Sequence, residues 1–322
     1  MTVIEQAVKD CLSRCQVGGQ VAVALSGGID SMVLLDAMHR ISLVAESPDH
    51  PIELSAVHVH HGLSPNSDHW ANFCRQECDA RGIPLNVVRV EVNREQTHGQ
   101  GIEGAARAAR YAVFQAQPAE TILAGQHADD QAETVLHQLL RGTGLAGLAA
   151  MGEVRQLASG QRLVRPLIGQ SRAAIEAYAA QYKLAWITDE SNDDTTYTRN
   201  FIRHELLPFI EGRFPQARSA LTRTARHAAE SAAMLEALAK IDLQWDGVEA
   251  NAAALDALPL ARQTNALYHW LRWQGVVGTP HSQLEEWAAQ LFRESPTDKP
   301  HQAGGHDFLI RRQRGRLSFA RR

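Results

Sequence analysis

Short apolar runs and longer amphipathic stretches take turns over the first two thirds of the chain, which is how strands and helices alternate. The stripe Ile4, Ala7, Val8, Cys11, Leu12, Cys15 predicts a helix over 3–15, and Val21-Ala22-Val23 a strand near 20–25. A helix over 30–42 follows, then the strand IELSAVHVH (52–60) and a helix opened by Ser67-Asp68 that runs to about 81. LNVVRVEV (85–92) reads as a strand, 102–117 as a helix, TILAG (121–125) as a strand and 128–141 as a helix. RLVRPL (162–167) is a fifth strand or its extension, and a helix over 171–183 closes the series. These crossovers predict an α/β fold, a parallel doubly wound sheet with helices on both faces and ligands at the strands' carboxyl ends. Two loops stand out, the Gly/Ala-rich 142–160 and the polar 188–200. After Pro215 the alternation gives way to Ala/Leu helices at about 216–240, 260–275 and 280–293. The chain therefore divides into an α/β domain, 1–213, and a smaller mainly α-helical domain, 214–322, whose tail 308–319 alternates as a short hairpin or strand pair.

The chemistry-bearing residues gather where the predicted strands end. Ser26-Gly27-Gly28-Ile29-Asp30-Ser31 links the first strand to its helix, and adjacent glycines let backbone N–H groups crowd around an anion at that helix N-terminus. No lysine follows them, so this is not a Walker loop. His127-Ala128-Asp129-Asp130-Gln131-Ala132-Glu133-Thr134 begins at the end of TILAG, with Asp130 and Glu133 on one helix face. A helix dipole alone would favour acids there. His58, His60 and His61 end the second strand without an acid or thiol at metal-ligand spacing. Arg107 and Arg110 lie about a turn apart, suited to phosphate or to a solvated face. Loop 188–200 runs into a helix bearing Arg199 and Arg203.

Composition narrows the choice. The 322 residues are 44% hydrophobic and 21% charged, and no apolar run approaches the ~20 residues of a membrane span. The N-terminus is an acid-bearing amphipathic helix rather than a signal peptide, so the expected location is cytoplasmic. Residues 1–212 carry 17 basic and 25 acidic side chains, a net −8, whereas 213–322 carry 15 and 11, a net +4. A basic second half points to a polyanion. Cys11/Cys15 and Cys74/Cys78 fall on core-facing stripes and read as small buried hydrophobes rather than metal ligands.

Together, SGGIDS, HVHHGL, ARAARYAVF, HADDQAET with RGTGLAG, and DESNDDTTYTRNFIRHELLP resemble the tRNA(Ile)-lysidine synthetases of the PP-loop ATP-pyrophosphatase superfamily. The resemblance is strong over about 20–215 and looser beyond, and it implies an adenine-nucleotide α-hydrolase-like fold. It implies ligation of free L-lysine to C2 of the wobble cytidine of a CAU-anticodon tRNA(Ile), with ATP cleaved to AMP and pyrophosphate. By resemblance Asp130 and Glu133 recognise lysine, with Asp130 as base. Ser26, Gly27, Gly28, Ile29, Asp30 and Ser31 hold pyrophosphate, with Mg²⁺ bound mainly through ATP and Asp30 either assisting it or only capping its helix. Arg110 and Arg203 contact phosphate or adenylate, and His60 lies near the nucleotide. Arg199 is placed with the expected tRNA contacts, and from charge alone, not from a motif, so are Arg213, Arg218, Arg223 and Arg226 with the tail residues Arg311, Arg312, Arg314 and Arg316. The family implies a homodimer and often a further C-terminal domain, so the chain is expected to be a short form or a truncated piece. Two alternatives compete. A tRNA thiolase wants a CxxC pair, and both pairs here are CxxxC. A non-catalytic nucleotide-binding module would need no acid pair at 130 and 133.

Overall fold

A computed structural model describes residues 1–44, 52–92, 101–245, 250–292 and 301–322, so the end of the helix expected to reach 293 lies outside the described residues. The chain separates into two compact units, 1–226 and 227–322. In the first unit α1 (Val3–Arg14), β1 (Gly19–Ala24), α2 (Ile29–Val44), β2 (Ile52–His60), α3 (Ser67–Asp79) and β3 (Leu85–Arg89) come in order. Then follow α4 (Gly101–Gln115), β4 (Thr121–Leu123), α5 (Ala128–Leu140), α6 (Leu145–Leu148), β5 (Val154–Gln156), β6 (Arg162–Val164) and α7 (Arg172–Gln181). α8 (Thr198–Phe201), a π-helical turn (Ile202–Leu206) and α9 (Leu207–Arg213) form one run of helix ahead of α10 (Ala217–Asp242).

The sheet order is β3-β2-β1-β4-β6-β5, parallel except for β5, which pairs antiparallel with β6. Strand alternation splits the side chains between two cores, as a two-faced sheet demands. Val21, Val23, Ala56, Leu123 and Val164 face a core that includes residues of α1, α2 and α7. Ala22, Val57, Ile122 and Leu163 face another with Val113 and Phe114 of α4. Strand order reverses between β1 and β4, so the crevice for a ligand opens where those two strands end. The expected α/β fold is therefore present. The loop expected over 142–160 is instead partly ordered as α6 and β5, pieces of four and three residues that are too short to show a period.

The second unit has its own core around Trp270, Leu267, Trp287 and Leu291. To the expected helices α11 (Leu260–Trp273) and α12 (His281–Leu291) it adds an antiparallel sheet, ordered β7-β10-β9-β8. Its strands are β7 (Ala250–Asn251), β8 (His301–Gly304), β9 (Phe308–Gln313) and β10 (Arg316–Arg321). The tail is indeed a hairpin, turned by Arg314 and Gly315 at φ of 51° and 75°. The unit border at 226 falls after the expected 213, because Arg218 and Thr222 of α10 bond Asp129 and the Ala128 carbonyl in the first unit.

Candidate active site

The turn after β1 is held by its own serines. Ser31 Oγ donates to the Gly28 carbonyl at 2.9 Å, accepts from Ser26 N–H at 3.2 Å, and lies 3.1 Å from Ser26 Oγ. Gly27 takes φ 88°, and a Cβ there would meet Ile187 Cδ1 at 2.7 Å. Its carbonyl also accepts from Ile187 N–H at 2.9 Å, which docks the segment after α7 onto the loop. A second glycine matters more than the sequence revealed. At Gly125, past β4, a Cβ would lie 2.9 Å from the Asp30 carbonyl, so only glycine lets the start of α2 approach so closely.

Charged side chains crowd around the N-terminus of α5. His127 caps it: Nδ1 accepts from Asp129 N–H at 3.2 Å, while the Asp130 carboxylate accepts from His127 N–H at 3.0 Å. Because Nδ1 accepts, the neutral ring carries its hydrogen on Nε2, which faces Asp30 Oδ1 and Asp130 Oδ2 at 3.5 Å each. Arg203 spans both acids, with Nε at 2.6 Å from Glu133 Oε1 and Nη2 at 2.9 Å from Glu133 Oε2 and 3.0 Å from Asp130 Oδ1. Arg172 Nη1 donates to Asp30 at 3.0 Å and Arg218 Nη1 to Asp129 at 3.0 Å. Arg199 donates to Thr134 Oγ1 at 3.0 Å. The π turn sets this spacing, since Ile202 and Leu207 bury themselves with Leu136 of α5 while Arg203 turns to the acids. Glu133 is 1% exposed, and burial raises its pKa against the opposing pull of Arg203. Burial likewise raises Asp30, with His127 and Arg172 opposing.

A family model described as a PP-loop domain matches residues 1–210. The chain belongs to the PP-loop family. A second model, described as the TilS substrate binding domain, matches residues 251–318 of the other unit. The chain is 45% identical to the tRNA(Ile)-lysidine synthase of Pseudomonas fluorescens (strain Pf0-1) over 261 residues, covering 77% of this chain and 57% of that protein. It is 42% identical over 299 residues to the tRNA(Ile)-lysidine synthase of Nitrosomonas europaea, covering 90% and 64%. For the tRNA(Ile)-lysidine synthase of Azoarcus sp. (strain BH72) the identity is 45% over 284 residues, covering 86% and 60%. The chain thus spans about three fifths of the length of these curated relatives. Among solved structures, the U34-tRNA thiolase NcsA from Methanococcus maripaludis with its [4Fe-4S] cluster superposes with a TM-score of 0.55 at 17% identity. The match covers 70% of this chain and 78% of that one and shows a shared fold.

Within the PP-loop unit, then, the structure brings Asp30, Asp130, Glu133 and Arg203 into one network, and adds Arg172, His127 and Asp129 to it. Arg199 and Arg218, expected on tRNA, are engaged with this network, whereas Arg223 and Arg226 are exposed on α10. His60 turns toward α3, with Nε2 at 3.2 Å from Asp68 and 3.4 Å from Arg89. Its neighbour His61 has a buried Nδ1 with no hydrogen-bond partner among the described residues, and burial together with Arg110 pushes its pKa down to about 4. Gln126 Oε1, just past β4, is also buried and unpartnered. Both atoms lie past strand ends, at the same side of the sheet as the PP-loop, and keep hydrogen-bonding capacity there. The only signal for either in the sequence was position at a strand end. All four cysteines are free thiols, and burial pushes Cys74 to about 12 and Cys78 to about 11, so neither is an activated nucleophile. Cys11, Cys15 and Glu153 are close enough to share an ion, with the sulfurs 3.9 Å apart, but they belong to α1 and the approach to β5.

Proposed function

We propose that the chain ligates L-lysine to C2 of the wobble cytidine of a CAU-anticodon tRNA(Ile) at the expense of ATP. The observation that carries this reading is the acid pair Asp130 and Glu133, pre-organised by Arg203 at the rim that also holds the PP-loop and Asp30. The names of the similar proteins and the match to a TilS substrate binding domain support it. The cytidine C2 oxygen attacks the α-phosphorus of ATP and pyrophosphate leaves. The lysine ε-amine then attacks C2, AMP departs with that oxygen, and a carboxylate takes the amine's proton. Freeing the amine from a pKa near 10.4 costs about 4–5 kcal/mol at neutral pH, which is why a carboxylate must meet it.

Asp130 is the base in this scheme, and Glu133 holds the ammonium before transfer. Arg203 stands on both acids, so lysine enters by taking over part of its contacts, which frees the guanidinium for the adenylate phosphate. Ser26, Gly27, Gly28, Ile29 and Ser31 cradle pyrophosphate through backbone N–H groups. His61, with its unpartnered nitrogen, takes the nucleotide-side role expected of His60, beside Arg110. Asp30 and Asp130 at the rim are paired with arginine and histidine, so a Mg²⁺ would bind mainly through ATP, with Asp30 the acid beside the PP-loop that could assist it, and would offset the phosphates' charge. The second unit supplies tRNA specificity. Such an enzyme works beside tRNA in the cytoplasm, and no described helix is long and apolar enough to cross a membrane. The test supplies ATP, labelled lysine and the CAU-anticodon transcript. Label should enter the tRNA with one AMP formed per lysine, and folded protein that transfers none overturns the reading.

A further inference from the structure

Outside the acid network, three arginines converge on one tyrosine of the PP-loop unit. Arg107 of α4 donates Nη2 to Tyr111 Oη at 3.1 Å, with its guanidinium carbon 5.0 Å from the ring centre. Arg155 of β5 stands over the same ring at 4.8 Å. Arg165, just past β6, is only 2% exposed; its Nη1 donates to the Gly152 carbonyl at 2.7 Å, and its Nε has no partner among the described residues. Among the described residues no carboxylate forms an ion pair with any of the three. A buried guanidinium without a counter-ion is costly, and an unfilled donor adds to the cost. Burial and the like charges of Arg107 and Arg155 pull its pKa down, against Tyr111.

We propose that Arg107, Arg155 and Arg165 form a phosphate-binding site at the β5 edge of the sheet, occupied by a backbone phosphate of bound RNA. Planar guanidinium forks match phosphate oxygens, and Tyr111 adds a hydroxyl. Arg107 and Arg155 are exposed, so an anion reaches the site from solvent, while the buried Arg165 keeps a donor spare. A short chain of contacts ties the site to the acid pair. Gln131, between Asp130 and Glu133 on α5, exchanges two hydrogen bonds with the Met151 backbone, at 2.8 and 2.9 Å. The next residue, Gly152, accepts from Arg165. A strand of RNA that presents a base to the acids is thereby offered a fixed anchor for a neighbouring phosphate. RNA as occupant rests on the tRNA reading above; the phosphate chemistry does not.

The test uses the full chain and the double variant Arg107→Ala/Arg155→Ala, both exposed positions whose loss leaves the core intact, with Arg165→Lys as a second variant. Salt dependence of tRNA binding is measured, together with thermal stabilisation by inorganic phosphate against chloride at matched ionic strength. The log–log salt slope should fall by about 0.7–0.9, one phosphate contact, equally for the CAU-anticodon tRNA and an unrelated tRNA, with ATP affinity unchanged. An unchanged slope with phosphate stabilisation abolished makes the occupant free phosphate and overturns the RNA assignment. If neither moves, the site itself is overturned. Failure of the wild-type chain to bind tRNA would count against the function, and the phosphate arm would still decide the site.

Discussion

Glu133 and Arg203 show how one contact sets both charge state and stability. Removing Arg203 leaves a carboxylate buried to 1% exposure without its two hydrogen-bonded guanidinium donors and with Arg199 Nε 3.8 Å away, so Arg203→Ala should cost about 3 kcal/mol in urea denaturation. The pH dependence has a definite sign. Burial raises Glu133 and Asp30 above their ordinary values, so in that interval the native state binds protons more tightly than the unfolded chain. Their contribution to stability is therefore greatest below the unfolded values, near 4.5 and 3.8, and declines as pH rises through the folded ones. In the proposed reaction lysine transfer needs the ionised acids, so the acid limb of its pH–rate profile should lie above 4.5. Because Arg203 pulls Glu133 down, Arg203→Ala should move that limb to higher pH. A limb that stays in place would show that Glu133 does not govern the rate.

At the scale of elements, α5 depends on an uncommon cap. His127 Nδ1 does the work of an Asx or Ser oxygen toward Asp129 N–H, while Nε2 faces Asp30 and Asp130. The two jobs separate by substitution: His127→Ala should lose about 1 kcal/mol of stability, and His127→Asn, whose side-chain oxygen can cap, should recover most of it. Both remove the ring nitrogen that stands 3.5 Å from Asp30 and Asp130, so if the proposed reaction uses that pair of acids both should slow it. Equal stability of the two variants would remove the cap from the account. What the sequence made legible follows the same division. Asp130 and Glu133 were readable because i,i+3 on a helix fixes a shared face, and the PP-loop because strand, Gly-Gly and helix are contiguous. Arg172 meets Asp30 across 142 positions and Arg218 meets Asp129 across 89, separations that local periodicity does not reach. His60 ends β2 and reaches Asp68 of α3, whereas His61, the first residue past the strand, keeps a buried Nδ1, a difference that only the packing around the strand end makes. The short strands β7 and β8 of the second unit escaped for the opposite reason, being too brief to carry a period.

At the scale of the whole molecule, charge divides unevenly along the chain, and burial decides which part of it a polyanion can use. The hairpin of the second unit carries Arg311, Arg312, Arg314 and Arg316 within six positions, which from the sequence are equivalent cations. The fold separates them. Arg312 is half-buried, pairs with both oxygens of Asp256 at 2.5 Å and donates to the Leu291 carbonyl at 3.0 Å, so it joins β9 to the end of α12. Arg311 and Arg314 are exposed. Arg312→Ala should therefore destabilise the second unit by about 1–2 kcal/mol, seen as an earlier transition of that unit in a two-unit denaturation curve. Arg311→Ala/Arg314→Ala should leave that transition in place. If the second unit meets RNA through this hairpin, the double variant weakens tRNA binding and reduces the salt slope by about 0.7–0.9 for each phosphate no longer neutralised. The reverse pattern, with Arg312 carrying the salt dependence and the exposed pair carrying the stability, would mean that exposure is the wrong guide to which arginines face the nucleic acid. An unchanged slope in both variants would move tRNA contact off the hairpin.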